Sequence, residues 1–111
     1  MTNRYETVFI LTPVLSEEQT KEAVKKIQDL IEAQGELVHK EEWGIKKLAY
    51  TINKKSTGFY CLMDFKAESN FIQKLEVEYK RDERFMRFLT IKMDEDHIAF
   101  AEKRREKLNK H

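Results

Sequence analysis

Apolar and polar positions alternate between two rhythms along the chain. Leu48, Tyr50 and Ile52 stand at every second position of residues 44–53, which is strand spacing. After Ser56-Thr57-Gly58, read as a reversal, the run Phe59-Tyr60-Cys61-Leu62-Met63-Asp64-Phe65 predicts the returning strand of a long hairpin. Residues 4–12 are nearly apolar throughout, which predicts a central strand buried on both faces and stopped by Pro13. Helical spacing follows. Ser16 and Gln19 form a capping-box pair, and Glu17 and Glu18 suit the positive end of a helix. Ala23, Val24, Ile27, Leu30 and Ile31 make the buried stripe, and Gly35 is expected as the left-handed residue that ends it.

A strand over residues 36–43 is interrupted at Trp43-Gly44, which marks a bulge or bend. Ser69 is expected to cap a second helix with Phe71, Ile72, Leu75 and Tyr79 on one side. Residues 80–84 form a polar link into a last strand, Phe85 to Met93. Beyond Asp94, Ile98, Ala101 and Leu108 are too sparse for a core face, so residues 94–111 are expected to be a charged C-terminal tail, a frayed helix or disordered. The order strand, helix, strand, strand, helix, strand gives two right-handed crossovers. They place two helices on one face of a four-stranded antiparallel sheet with the first and third strands central. The fold expected for residues 1–93 is therefore α+β, the ferredoxin-like βαββαβ arrangement.

Two helices roof only one side of such a sheet, so side-chain parity matters. With Glu6, Asp64 and Arg87 pointing away from the helices, Val8, Ile10, Tyr60, Leu62, Leu89 and Ile91 share the open face. Such side chains gain roughly 1.5–3 kcal/mol each on full burial, and a contiguous apolar patch is uncommon on a soluble monomer. Either the C-terminal tail folds back over this face, or one strand's parity is misassigned, or another polypeptide docks on it; the last reading is preferred.

Charged residues make up 37% of the 111, yet the formal net charge is +1, so only the distribution of charge points to a polyanion. The first helix is rich in acids. Lys46, Lys47, Lys54 and Lys55 on the hairpin, with Arg84, Arg87, Lys92 and Arg4, make basic strand ends that suit phosphates. Tyr5 and Tyr50 among them suit base stacking. Cys61, the one cysteine, reads as a reduced core residue and fits a cytosolic protein. The polar start and the break at Pro13 predict neither a signal peptide nor a membrane span.

Catalytic chemistry is missing from the pattern. His39, His97 and His111 lack ligand spacing, which argues against zinc. The three glycines make no phosphate loop, and Ser16, Ser56 and Ser69 sit at caps or turns. The acidic pairs Glu41-Glu42 and Asp82-Glu83 are adjacent and diverge on a strand. No enzyme, metal or cofactor is expected.

Gly44, Lys46, Lys47, Leu48, Ala49, Tyr50 and Ile52 fit the pattern glycine, any, basic, polar, leucine, alanine, tyrosine, any, isoleucine. This resembles the signature of the bacterial small-subunit ribosomal protein six family. Arg4-Tyr5-Glu6, then Asp82-Glu83, Met86-Arg87 and Lys92, resemble its first and last strands, and the likeness spans about residues 4–93. Thr51 departs from the proline of many members, and Asn3 from a basic residue of some. The resemblance implies a ribosomal protein of the cytoplasm that binds the central domain of 16S ribosomal RNA with ribosomal protein eighteen as partner. It also implies an RNA-facing rim of Arg4, Tyr5, Lys46, Lys47, Tyr50, Arg87 and Lys92. The alternative is a ferredoxin-like regulatory module that homodimerises through its sheet and binds a small metabolite. A sequence-specific RNA reader is a third reading, but Thr57-Gly58-Phe59-Tyr60-Cys61 matches that module's strand motif only in part.

Overall fold

The computed structural model describes residues 2–52 and 54–109. Asn53 and His111 lie outside the described residues. The elements are β1 (Asn3–Leu11), α1 (Glu17–Gln34), β2 (Gly35–Ile52), β3 (Lys55–Ala67), α2 (Phe71–Arg81), β4 (Phe85–Lys92) and α3 (Glu95–Asn109). The sheet order is β2-β3-β1-β4, every neighbouring pair antiparallel, with β1 and β3 central. This is the ferredoxin-like βαββαβ fold.

Alternation along the strands sorts the sheet into two faces. Tyr5, Phe9 and Leu11 of β1 and Cys61, Met63 and Phe65 of β3 pack with the stripes of α1 and α2 in one buried cluster. Thr7 lies on the same face, fully buried; its hydroxyl is 2.8 Å from the Tyr79 hydroxyl and 2.8 Å from that of Thr90. The α1 start is the expected capping box: Gln19 N–H donates to Ser16 Oγ and Ser16 N–H to the Gln19 side chain. Where α2 ends, Asp82 accepts from the Arg84 side chain (2.6 Å) and backbone (3.1 Å) and from Lys26 of α1 (3.2 Å). Hydrogen bonds from Arg84 hold the Asp82 carboxyl well below the usual carboxylate range, against the opposing effect of burial.

Several local expectations are corrected. The hairpin reverses between Ile52 and Lys55, with Lys54 left-handed (φ 65°), and not at Ser56-Thr57-Gly58. Gly58 is a strand residue whose missing side chain admits Ile10 Cγ2. Leu48, Tyr50 and Ile52 do not share a face. Lys47 pairs with Thr57 and Ile52 with Lys55, so residues 48–51 arch out opposite Ser56; Leu48 is buried while Tyr50 is 58% exposed. Gly35 is extended (φ −168°), and there Lys66 O approaches too closely for a side chain. The α2 N-cap is Asn70, not Ser69. Gly44 does mark a bulge, with φ 76°. β1 is buried on its helix-facing side and half-buried on the other. For residues 94–111 the structure holds the helical alternative over most of the length, as α3: Ala101 is buried and Ile98 half-buried, while the side chain of Leu108 lies outside the described set.

Candidate functional site

The face opposite α1 and α2 is built by register. Val8 lies between Leu62 and Leu89, Ile10 between Tyr60 and Arg87, and Glu6 between Asp64 and Ile91. The six residues expected there do share that side of the sheet. They are not equally open. Leu89 is 64% and Ile91 37% exposed, and Val8, Ile10 and Tyr60 are half-buried. Leu62 is corrected: at 3% exposure it is part of the interior.

The division arises because α3 crosses this face. It leaves the end of β4 beside β1, where Met93 N–H donates to Arg4 O, and reaches β3 and β2. Arg105 lies 2.9 Å from Asp64, and Arg104 donates to Glu41 at 3.0 Å. Asp64, with no exposed surface, also receives a two-pronged contact from Arg4 at 2.6 and 2.9 Å. Glu41 accepts from Trp43 Nε1 (3.0 Å) and is 3.0 Å from His39 Nε2. Burial raises the Glu41 pKa, but the Trp43 hydrogen bond, the Arg104 charge and the His39 contact together leave it lowered. Of the acids that anchor α3, Asp64 was legible only as an outward charge in an apolar strand and Glu41 only as half of an adjacent acidic pair. Arg104-Arg105 showed only as part of a charged tail.

What α3 leaves uncovered is an open concavity lined by Val8, Ile10, Arg87, Phe88 and Leu89. It carries one charged group among apolar side chains, not the convergent polar set that metabolite binding needs. The arch of residues 48–51 reaches this region, for the Arg87 guanidinium lies 5.2 Å from the Tyr50 ring centre, a cation–π contact. Lys46 stands 5.9 Å from the Trp43 ring, and Trp43 in turn stacks on Tyr60 at 6.4 Å.

The expected basic rim divides. Lys46, Lys47, Tyr50, Arg87 and Lys92 are exposed. Tyr5 is corrected: it is 6% exposed, stacked on Phe65 in the core, because the alternation that turns Glu6 outward turns Tyr5 inward. Arg4 is committed to Asp64, whose hydrogen bond raises its pKa, so its guanidinium belongs to the protein's own charge network. Arg87 and Lys92 lie five residues apart on β4, roughly 17 Å at strand rise and on opposite sides of the strand. Only the outer edge of β4 presents both.

Burial pushes the Cys61 thiol up to about 12 and keeps it protonated and inert. Among the described residues no group of His, Cys, Asp or Glu could hold a metal ion. No described helix is long and apolar enough to cross a membrane.

Residues 4–92 match the family model described as "Ribosomal protein S6". The chain belongs to the ribosomal protein S6 family. The small ribosomal subunit protein bS6 of Phocaeicola vulgatus is 60% identical over 104 residues, covering 93% of this chain and 91% of that protein. The bS6 protein of Christiangramia forsetii is 56% identical over 106 residues, 95% of each chain. The crystal structure of 30S ribosomal protein S6 from Thermotoga maritima superposes with a TM-score of 0.81 at 26% identity, covering 97% of this chain and 99% of that one. As a member of the S6 family the chain is a small-subunit ribosomal protein, structural rather than catalytic.

Proposed function

We propose that the chain binds the central domain of 16S ribosomal RNA together with ribosomal protein eighteen of the small subunit, in cytoplasmic ribosomes. The observation that carries this reading is the juxtaposition along β4. Leu89 and Ile91 offer exposed apolar surface, while Arg87 and Lys92 flank them as exposed cations. Burial of the apolar strip drives docking of the protein partner, and the cations set orientation on the phosphate backbone. Lys46, Lys47 and Tyr50 extend the basic rim along the hairpin.

The test is a binding assay on a central-domain RNA fragment with ribosomal protein eighteen present. Arg87→Ala and Lys92→Ala each weaken binding and flatten its salt dependence, by about 0.7–0.9 in the slope of log affinity against log salt per phosphate contact removed. Unchanged affinity and slope for both variants would sink the rim assignment.

A further inference from the structure

α3 differs from the other helices in what fixes it. α1 buries Ala23, Val24, Ile27 and Ile31, and α2 buries Phe71, Leu75 and Tyr79. Among the described side chains of α3 only Ala101 is buried, and Phe100 is 67% exposed. The grip is electrostatic instead: Arg105 to Asp64, Arg104 to Glu41, and Glu102 3.9 Å from Arg4. The two acids also have partners within the sheet. Arg4 already holds Asp64 with two hydrogen bonds, and Trp43 and His39 already engage Glu41, so both acids stay paired without α3. The docked helix, in contrast, leaves Arg105 Nε and Nη2 buried with no hydrogen-bond partner. Undocking returns those groups to water.

We propose that α3 is a displaceable cover, clasped to the open face by Arg104 and Arg105, that lifts when those charges are screened and joins Leu62 to the apolar strip of Val8 and Ile10. The Debye length falls from about 10 Å at 0.1 M salt to about 3 Å at 1 M, so the solvent-facing contacts of Arg104 and Glu102 weaken over that range, the buried Arg105–Asp64 pair least, and the cover loosens. A cover held by apolar packing does not.

Hydrogen exchange on the full chain reads this directly. Between about 0.05 and about 1 M NaCl, protection of backbone amides 98–106 falls on the order of tenfold while those of β1 and β3 hold. Trp43 emission shifts in the same range, because its indole shares Glu41 with Arg104. A double variant, Arg104→Ala with Arg105→Ala, loses α3 protection already at low salt with β1 and β3 unchanged. The salt series on the unaltered chain decides the matter should that variant fold poorly. Protection of 98–106 that persists at high salt, or that is absent at low salt, overturns the proposal.

Discussion

Thr7 shows how a polar side chain earns a place in the core. It is fully buried on the helix-facing side of β1, and its hydroxyl joins those of Tyr79 and Thr90 in a short chain of hydrogen bonds. Burial raises the Tyr79 pKa above the usual phenol range, against the opposing Thr7 contact, so its proton stays in the chain. Thr7→Val keeps the shape but orphans the Tyr79 hydroxyl; urea denaturation should show a loss of about 1–3 kcal/mol with an unchanged m-value. Residue-scale legibility was uneven for a physical reason. Strand parity sends Tyr5 inward once Glu6 points outward, while Arg87 was placed outward by its own charge on the last strand. The nearness of Tyr5 in sequence to Arg4, and then motif likeness, placed it on the rim, and neither carries parity. Arg4 was legible as a cation but not as one already spent, since its partner Asp64 is sixty residues away.

At the scale of elements, Asp82 ties α1 to the turn between α2 and β4 through Lys26 and Arg84. Its folded-state pKa is depressed, so it stabilises the fold above the unfolded carboxylate value near 4 and that contribution is lost as pH falls toward the folded value (about 4 for the unfolded group). Asp82→Asn should therefore cost about 1–3 kcal/mol at neutral pH. The difference from the parent should shrink below about pH 4, read by denaturant melts across pH. The elements that hydrophobic rhythm reveals, β1, α1, α2 and β4, were legible because apolar burial fixes them. α3 was legible only as a frayed helix or a tail, because periodicity sees apolar stripes and, of its described side chains, Ala101 alone is buried. The hairpin reversal was misplaced for a related reason: Ser-Thr-Gly is turn chemistry, but Gly58 answers to the approach of Ile10 rather than to a change of direction.

For the whole molecule, one face of the sheet is shared between an internal helix and an outward apolar strip. The fold explains why the strip lies along β4: α3 starts there, crosses away from it, and leaves Leu89 outside its path. Leu89→Asp should leave thermal stability within about 0.5 kcal/mol, as for other exposed sites. It should weaken association with ribosomal protein eighteen by about tenfold or more in a titration calorimeter; equal affinity would move the docking site elsewhere. Candidate-site legibility was greatest here, since topology alone says that one side lacks a roof. How much of it the chain roofs for itself depended on Glu41, Asp64 and two arginines, which no periodicity links.

The β2–β3 ribbon runs on past Leu11, where β1 stops pairing with Phe59, and ends in the arch of residues 48–51. A lone pair of strands twists and bends far more readily than a strand inside a sheet. Leu48 tethers the arch near Gly58. Lys46 and Lys47 thus stand on the paired stem of this two-stranded ribbon, opposite Gly58 and Thr57, and Lys54 and Lys55 at its reversal, so all four cations sit beyond the four-stranded body.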